Sequence, residues 1–283
     1  MSDEESFSSS VSVNGWSVWY EKFGSGPKPL LLIPGAIGRT DFYHQLEGDN
    51  VLDFDLVTII AVELPGWGRS RPPVRKYGTG VYDNDAQCLY ELMKELGFDK
   101  YSILSWSDGA KVALLMATLY PESIESVILT SVYTYISNES LKLLLSSQSV
   151  DNWHKDKLES YIKSYGKKEV IQQLWTKFIK FAEYYNQYFP ESKNNYHLIK
   201  CRVLIVYGEK DKMCELSQIT KLKKTIKRSI IYRFPNGEHN CHQKYSTIFK
   251  DVVEDYLMGR LKEEEDKDPN SGPNDGLEYM RYK

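Results

Sequence analysis

A serine, an aspartate and a histidine stand in this chain in an order and setting suited to nucleophilic acyl transfer. Ser107 lies in Ser105-Trp106-Ser107-Asp108-Gly109, directly after a short apolar run and directly before a helical pattern. A strand that turns at once into a helix lifts one side chain clear of the backbone, and the residues two positions either side must be small. Gly109 meets that demand, and Ser105 stands where glycine is usual but is still small. A serine hydroxyl needs a base to take its proton, and an imidazole serves when a carboxylate fixes its tautomer. Downstream, Asp211 follows the run Val203-Leu204-Ile205-Val206-Tyr207-Gly208, and His239 follows residues 230–234 and Pro235-Asn236-Gly237-Glu238. Each of the three is expected in a loop just past the C-terminal end of a strand, so one sheet edge gathers them.

The oxyanion formed in such a reaction requires two backbone donors aimed at it. One candidate is the amide of Asp108, at the start of the following helix, where the helix dipole also favours negative charge. The other is Ala36 in Pro34-Gly35-Ala36-Ile37-Gly38, whose glycines allow the backbone to approach closely. The loop Glu63-Leu64-Pro65-Gly66-Trp67-Gly68-Arg69-Ser70 reads as a turn beside the pocket. The side chain of Asp108 has two readings: it stabilises the start of the helix, or it faces a cationic group on the acyl part of a substrate. His239-Asn240-Cys241-His242 fits no common zinc spacing, so no metal is expected. Cys241 then reads as a buried thiol, and His242 as a helix-start residue close to the base. No cofactor is implied.

The elements that must hold these residues alternate along the chain. Strands are expected around Val18-Trp19-Tyr20 and Phe23, and over residues 30–33, 56–62, 101–104, 127–129, 203–207 and 230–234. Helices are expected over 83–96, stopped by Gly97, and over 110–120, stopped by Pro121. Short apolar strands separated by helices make a mostly parallel sheet covered on both faces. Residues 135–196 break the rhythm with helical patterns alone, including the stripe Val170, Leu174, Phe178, Phe181 and Tyr185. This segment reads as a helical cap over the C-terminal edge of the sheet, where ligands bind in open α/β sheets. Trp153, Trp175 and Phe178 are its candidate pocket aromatics. The core is assigned to residues 11–134 and 197–261. The serine-rich residues 1–10 and the acidic, Pro- and Gly-containing residues 262–283 are expected to be disordered.

Bulk properties narrow the function further. The 283 residues carry a formal net charge of -3, with 41% hydrophobic and 27% charged residues. There is no basic excess to hold a polyanion, so nucleic acid is not an expected partner. No apolar run reaches the roughly 20 residues that span a bilayer, so no membrane association is expected. Cys88, Cys201, Cys214 and Cys241 show no paired spacing and read as free thiols in a reducing compartment. The acidic start, Met1-Ser2-Asp3-Glu4-Glu5, has neither secretory nor mitochondrial leader character, which points to the cytoplasm. A monomer acting on a small-molecule ester is the simplest expectation.

Taken together, Trp106-Ser107-Asp108-Gly109, Gly208-Glu209-Lys210-Asp211 and Gly237-Glu238-His239-Asn240-Cys241-His242 resemble the biphenyl hydrolase-like (valacyclovir hydrolase) family of the α/β-hydrolase fold. Val13-Asn14-Gly15, Ser70-Arg71-Pro72-Pro73 and Leu92-Met93-Lys94 extend the resemblance, which spans roughly residues 11–258 and is weakest in the cap. The resemblance implies a serine hydrolase of α-amino acid esters. It also implies that an aspartate beside the nucleophile, here Asp108, holds the ammonium group of the substrate. Two departures stand out: serine at position 105, and an N-terminus unlike that of mitochondrial relatives. A general carboxylesterase, a carbon–carbon bond hydrolase and a non-catalytic scaffold of the same fold are the alternatives.

Overall fold

A computed structural model describes residues 7–40, 50–188 and 195–261. Eight strands form one sheet: β1 (Phe7–Val13), β2 (Trp16–Phe23), β3 (Lys28–Ile33), β4 (Val57–Val62), β5 (Tyr101–Trp106), β6 (Ile124–Thr130), β7 (Arg202–Gly208) and β8 (Ser229–Phe234). Their order is β1-β2-β4-β3-β5-β6-β7-β8. β1 and β2 pair antiparallel, as do β2 and β4, while all pairings from β4 through β8 are parallel. The order reverses at β3, which lies between β4 and β5. Such a reversal opens a crevice at the C-terminal ends of the strands on either side.

The central strands are buried on both faces, and their alternation divides the core in two. Leu31, Ile33, Ile103, Leu129 and Ile205 pack into one apolar cluster with Leu89 and Leu92 of α1 (Val81–Glu95) and Val112 and Met116 of α2 (Gly109–Leu119). Leu30, Leu32, Leu104, Ile128 and Val206 pack into the other, with Phe249, Val252 and Val253. Those last three lie on α8 (Ser246–Leu257), the final described helix. A period of two therefore sends neighbouring apolar residues into opposite layers, so near-continuous apolar runs mark strands covered on both sides.

Between β6 and β7 the described chain is helical. It forms α3 (Asn138–Ser146), α4 (Lys155–Tyr165) and the 21-residue α5 (Lys168–Tyr188), with a 3₁₀ turn at Val150–Asn152. Ser137 caps α3 by accepting a hydrogen bond from the amide of Ser140. The stripe on α5 is buried at Leu174, Phe178 and Phe181, inside the first cluster. A short α6 (Leu216–Thr225) and α7 (Cys241–Lys244) complete the fold. Among the described residues, no helix is long and apolar enough to cross a membrane.

One expectation needs correcting. Residues 7–10, placed in a disordered N-terminus on composition, belong to β1 and pair in register with residues 19–22 of β2. Serine-rich sequence lacks apolar content to drive ordering alone, but the exposed edge of β2 supplies backbone partners, and Phe7 meets the Tyr20 ring at 6.2 Å. The expected disorder of residues 1–6 and of the acidic segment 262–283 lies outside the described residues. Removing residues 1–10 should leave the chain folded but expose the β2 edge. Hydrogen exchange at the amides of Tyr20 and Lys22, which face β1, should then rise by about tenfold, as the loss of roughly 1–1.5 kcal/mol of local ladder bonding requires, while that of Trp19, whose amide donates to Ser70 Oγ, should not. Unchanged exchange would show that β1 contributes no protection.

Candidate active site

Four loops meet at the C-terminal edge of the sheet, those following β3, β5, β7 and β8. Ser107 follows β5 directly, with a positive φ of 55°. A non-glycine residue held in the left-handed region is strained, and here the surroundings enforce it. Its amide donates to the carbonyl of Thr130 at 2.9 Å, and its carbonyl accepts from Ala110 at the head of α2. Ser105, in the usual glycine position, is fully buried, and its hydroxyl donates to the Ile128 carbonyl at 3.2 Å. The extra hydroxyl is thus satisfied across the β5–β6 ladder and does not disturb the turn.

The structure brings Ser107, His239 and Asp211 into line. The Ser107 hydroxyl lies 2.8 Å from His239 Nε2, and His239 Nδ1 lies 2.9 Å from Asp211 Oδ2. A carboxylate on Nδ1 retains the proton there and leaves Nε2 free to accept the serine proton. The other Asp211 oxygen accepts from the amides of Met213 at 2.8 Å and Cys214 at 3.2 Å. Burial pushes the Asp211 pKa up, but the hydrogen bond and charge of His239, together with the Met213 amide and the Cys214 side chain, outweigh it and leave the carboxyl below its ordinary value. Close approach of the acid and base loops depends on glycine. A Cβ at Gly208 would stand 2.6 Å from the Gly237 backbone, and the Lys210 amide donates to the Gly237 carbonyl at 2.8 Å.

Trp106 fixes the base from below. Its indole N–H donates to the His239 carbonyl at 2.8 Å, and its ring lies beside both His239 and His242. The same ring packs under the loop after β3, where a Cβ on Gly35 would come within 2.6 Å of it and 3.2 Å of the Ser107 Cβ. The loop carrying Ala36 is therefore seated against the nucleophile. Among the described residues, neither the Ala36 nor the Asp108 amide is seen donating to a protein acceptor. Cys241 and His242 are buried on α7. Asp211, Cys214 and His239 place a carboxylate, a thiol and an imidazole within 4.8 Å of one another. Burial and the charge of Asp211 hold the Cys214 thiol well above its ordinary pKa, so it remains protonated, and it donates to the Ser131 carbonyl at 3.0 Å.

The surroundings of Asp108 differ from the expectation of a carboxylate open to a substrate cation. Asp108 is only 2% exposed. Its Oδ1 accepts from the hydroxyls of Tyr82 at 2.6 Å and Tyr133 at 3.2 Å, and from Lys111 Nζ at 3.2 Å. Burial, and after it the charge of Asp108, holds both tyrosines well above their ordinary pKa, so they stay protonated as donors. Sequence reasoning missed Tyr82, Tyr133 and Lys111. The available signal was a lysine in the otherwise apolar run Gly109-Ala110-Lys111-Val112-Ala113-Leu114-Leu115, one turn after Asp108. The cap aromatics also divide differently. Trp153 meets Trp175 edge to face and Trp175 stacks on Phe178 inside the cap, and both indoles donate to the Ser147 carbonyl. Phe181 and Tyr185 reach Tyr82 instead, beside Asp108.

The chain has relatives among known proteins. A family profile described as the alpha/beta hydrolase fold matches residues 28–161. The chain is 31% identical over 256 residues to serine hydrolase BPHL of Mus musculus, covering 89% of this chain and 86% of that protein. The Homo sapiens counterpart shows the same identity and coverage. This chain belongs to the α/β-hydrolase family, in its biphenyl hydrolase-like branch. The α/β-hydrolase fold also recurs in the crystal structure of an enzyme from a Medee basin deep-sea metagenome library, with a TM-score of 0.72 at 16% identity. That match covers 92% of this chain and 100% of the other.

Two predictions follow from the positioning of the base. W106F should retain fold but release the His239 carbonyl, lowering kcat about tenfold with little change in KM, as the loss of one hydrogen bond that orients the base implies. An unchanged kcat would mean that the indole only packs. Asp211 has a lowered folded pKa, so its stabilising contribution is complete above its unfolded value and lost as pH falls through the folded one. The stability difference between wild type and D211N in chemical unfolding should therefore be at its full value near pH 5 and shrink below roughly pH 4. A difference that stays constant into acid would contradict the assigned charge state.

Proposed function

We propose that this hydrolase is a serine esterase that cleaves small carboxylic esters through an acyl-enzyme on Ser107. The carrying observation is the continuous relay from Ser107 Oγ to His239 Nε2 at 2.8 Å and from His239 Nδ1 to Asp211 at 2.9 Å. In this reading His239 removes the Ser107 proton as Oγ attacks the ester carbonyl carbon. The resulting oxyanion lies between the amides of Ala36 and Asp108, and the positive end of α2 adds to its stabilisation. His239 then gives the proton to the departing alcohol, and the C–O bond breaks to leave the acyl group on Ser107. Water enters, His239 takes its proton, and the acid is released with Ser107 restored. Asp211 stays ionised throughout and stabilises the imidazolium.

The relatedness to serine hydrolases of mouse and human supports the same chemistry. The preference of this site among ester classes depends on the acyl side, where Asp108 lies. The proposal is tested with p-nitrophenyl esters of short acids and a fluorophosphonate probe. S107A should lose probe labelling entirely and lower kcat by about 10⁵-fold or more, and D211N by about 10⁴-fold. Labelling that persists in S107A would overturn the assignment. A wild-type protein inert to both probe and esters would favour a non-catalytic scaffold, and turnover confined to carbon–carbon substrates would favour the alternative hydrolase chemistry.

A further inference from the structure

We infer that Lys111 is an internal counter-ion that fills the cation site beside the nucleophile, so that the enzyme selects esters of neutral acyl groups over α-amino acid esters. This rests on the esterase reading above. Three aromatic faces and one carboxylate surround the ammonium group. Its Nζ lies 4.1 Å from the Tyr133 ring centroid, 4.9 Å from that of Tyr185 and 5.0 Å from that of Tyr82. It lies 3.2 Å from Asp108 Oδ1 and 3.3 Å from the Tyr82 hydroxyl. A carboxylate flanked by tyrosine faces is the arrangement that would recognise a primary ammonium ion. Here the protein fills it from its own helix.

The position matters as much as the composition. Lys111 stands one turn into α2 from Asp108, the residue that follows Ser107, and Tyr133 reaches Asp108. The cage is therefore adjacent to the atom that carries the acyl group. An ammonium on the acyl α-carbon would have to share Asp108 with Lys111, one carboxylate width from a like charge in a buried site. The Lys111 side chain is 3% exposed, so water does little to screen that repulsion. A neutral acyl chain meets no such obstacle.

The test compares p-nitrophenyl valinate with p-nitrophenyl 3-methylbutanoate, which differ only in the α-ammonium group. Each kcat/KM is divided by the hydroxide-catalysed rate of the same ester, which removes the greater intrinsic reactivity of the valinate. Wild type should favour the 3-methylbutanoate by about tenfold or more. K111M, nearly isosteric and uncharged, should move this ratio toward valinate by at least about tenfold, chiefly through KM, because Asp108 is then left to accept the substrate cation. D108N/K111M, which removes both charges, should fold even where K111M does not, and should show no gain for valinate. A wild-type preference for valinate, or a ratio that K111M leaves unmoved in folded, probe-labelled protein, overturns the inference. If K111M fails to fold, the wild-type and double-variant ratios decide. Loss of all ester turnover and of Ser107 labelling in wild type would instead refute the esterase reading on which the inference depends.

Discussion

The backbone at Ser107 is the constraint around which the site is arranged. Its φ of 55° is unfavourable for a serine and persists only because neighbouring elements over-determine it. From β6 comes the Thr130 carbonyl, which takes the Ser107 amide, and from α2 the Ala110 amide, which takes its carbonyl. Trp106, one residue before, supports the β3 loop and the His239 carbonyl at once. The strain at one residue thus aligns nucleophile, base and oxyanion loop together. The reversal of strand order at β3 gives the β3 loop access to the β5 turn, so topology and local strain serve the same geometry.

Two buried aspartates flank this turn, and their environments set them different tasks. Asp211 receives two backbone amides and the imidazole, which keeps it ionised and directed at His239. Asp108 receives two phenols and an ammonium ion, so its charge is balanced before any substrate arrives. For Lys111, burial draws the pKa down and the charge of Asp108 opposes this. An isolated buried charge would be costly, and each member of the pair is retained by the other. The two networks meet where Asp108 follows Ser107 in the chain, and Cys214 Sγ lies 3.8 Å from His239 Nδ1.

Much of this was legible in the sequence because the relevant signals are local. Apolar runs with strand length, glycines at close approaches and the chain order serine, aspartate, histidine all depend on short segments. Ser107, Asp211 and His239 sit where those segments imply, and the loop bearing Ala36 lies against the nucleophile. What could not be read was set by contacts across distance. Residues 7–10 have strand character only because β2 offers an edge. Tyr82, Tyr133 and Tyr185 are three of 21 tyrosines, on α1, after β6 and on α5, and no spacing rule joins them. The resemblance carried a role onto Asp108, but a role transferred at one position says nothing of Lys111 one helical turn away.

The cap shows how binding and chemistry are joined. Tyr165, on α4, accepts from the Gly68 amide at 2.9 Å and donates to the Ile37 carbonyl at 3.0 Å, inside the oxyanion loop. Arg39, just beyond that loop, donates to the hydroxyls of Ser160 at 2.7 Å and Ser164 at 2.9 Å on the same helix. Meanwhile α5 contributes Tyr185 to the walls around Lys111. One cap helix thus holds the loop that carries Ala36 at its Ile37 carbonyl, and the next contributes a wall around Lys111. On the proposed mechanism, displacing the cap would disturb the oxyanion loop and the surroundings of Lys111 together. A segment inserted between β6 and β7 is for this reason part of the catalytic frame, and substitutions within it should be judged by which of these two contacts they alter.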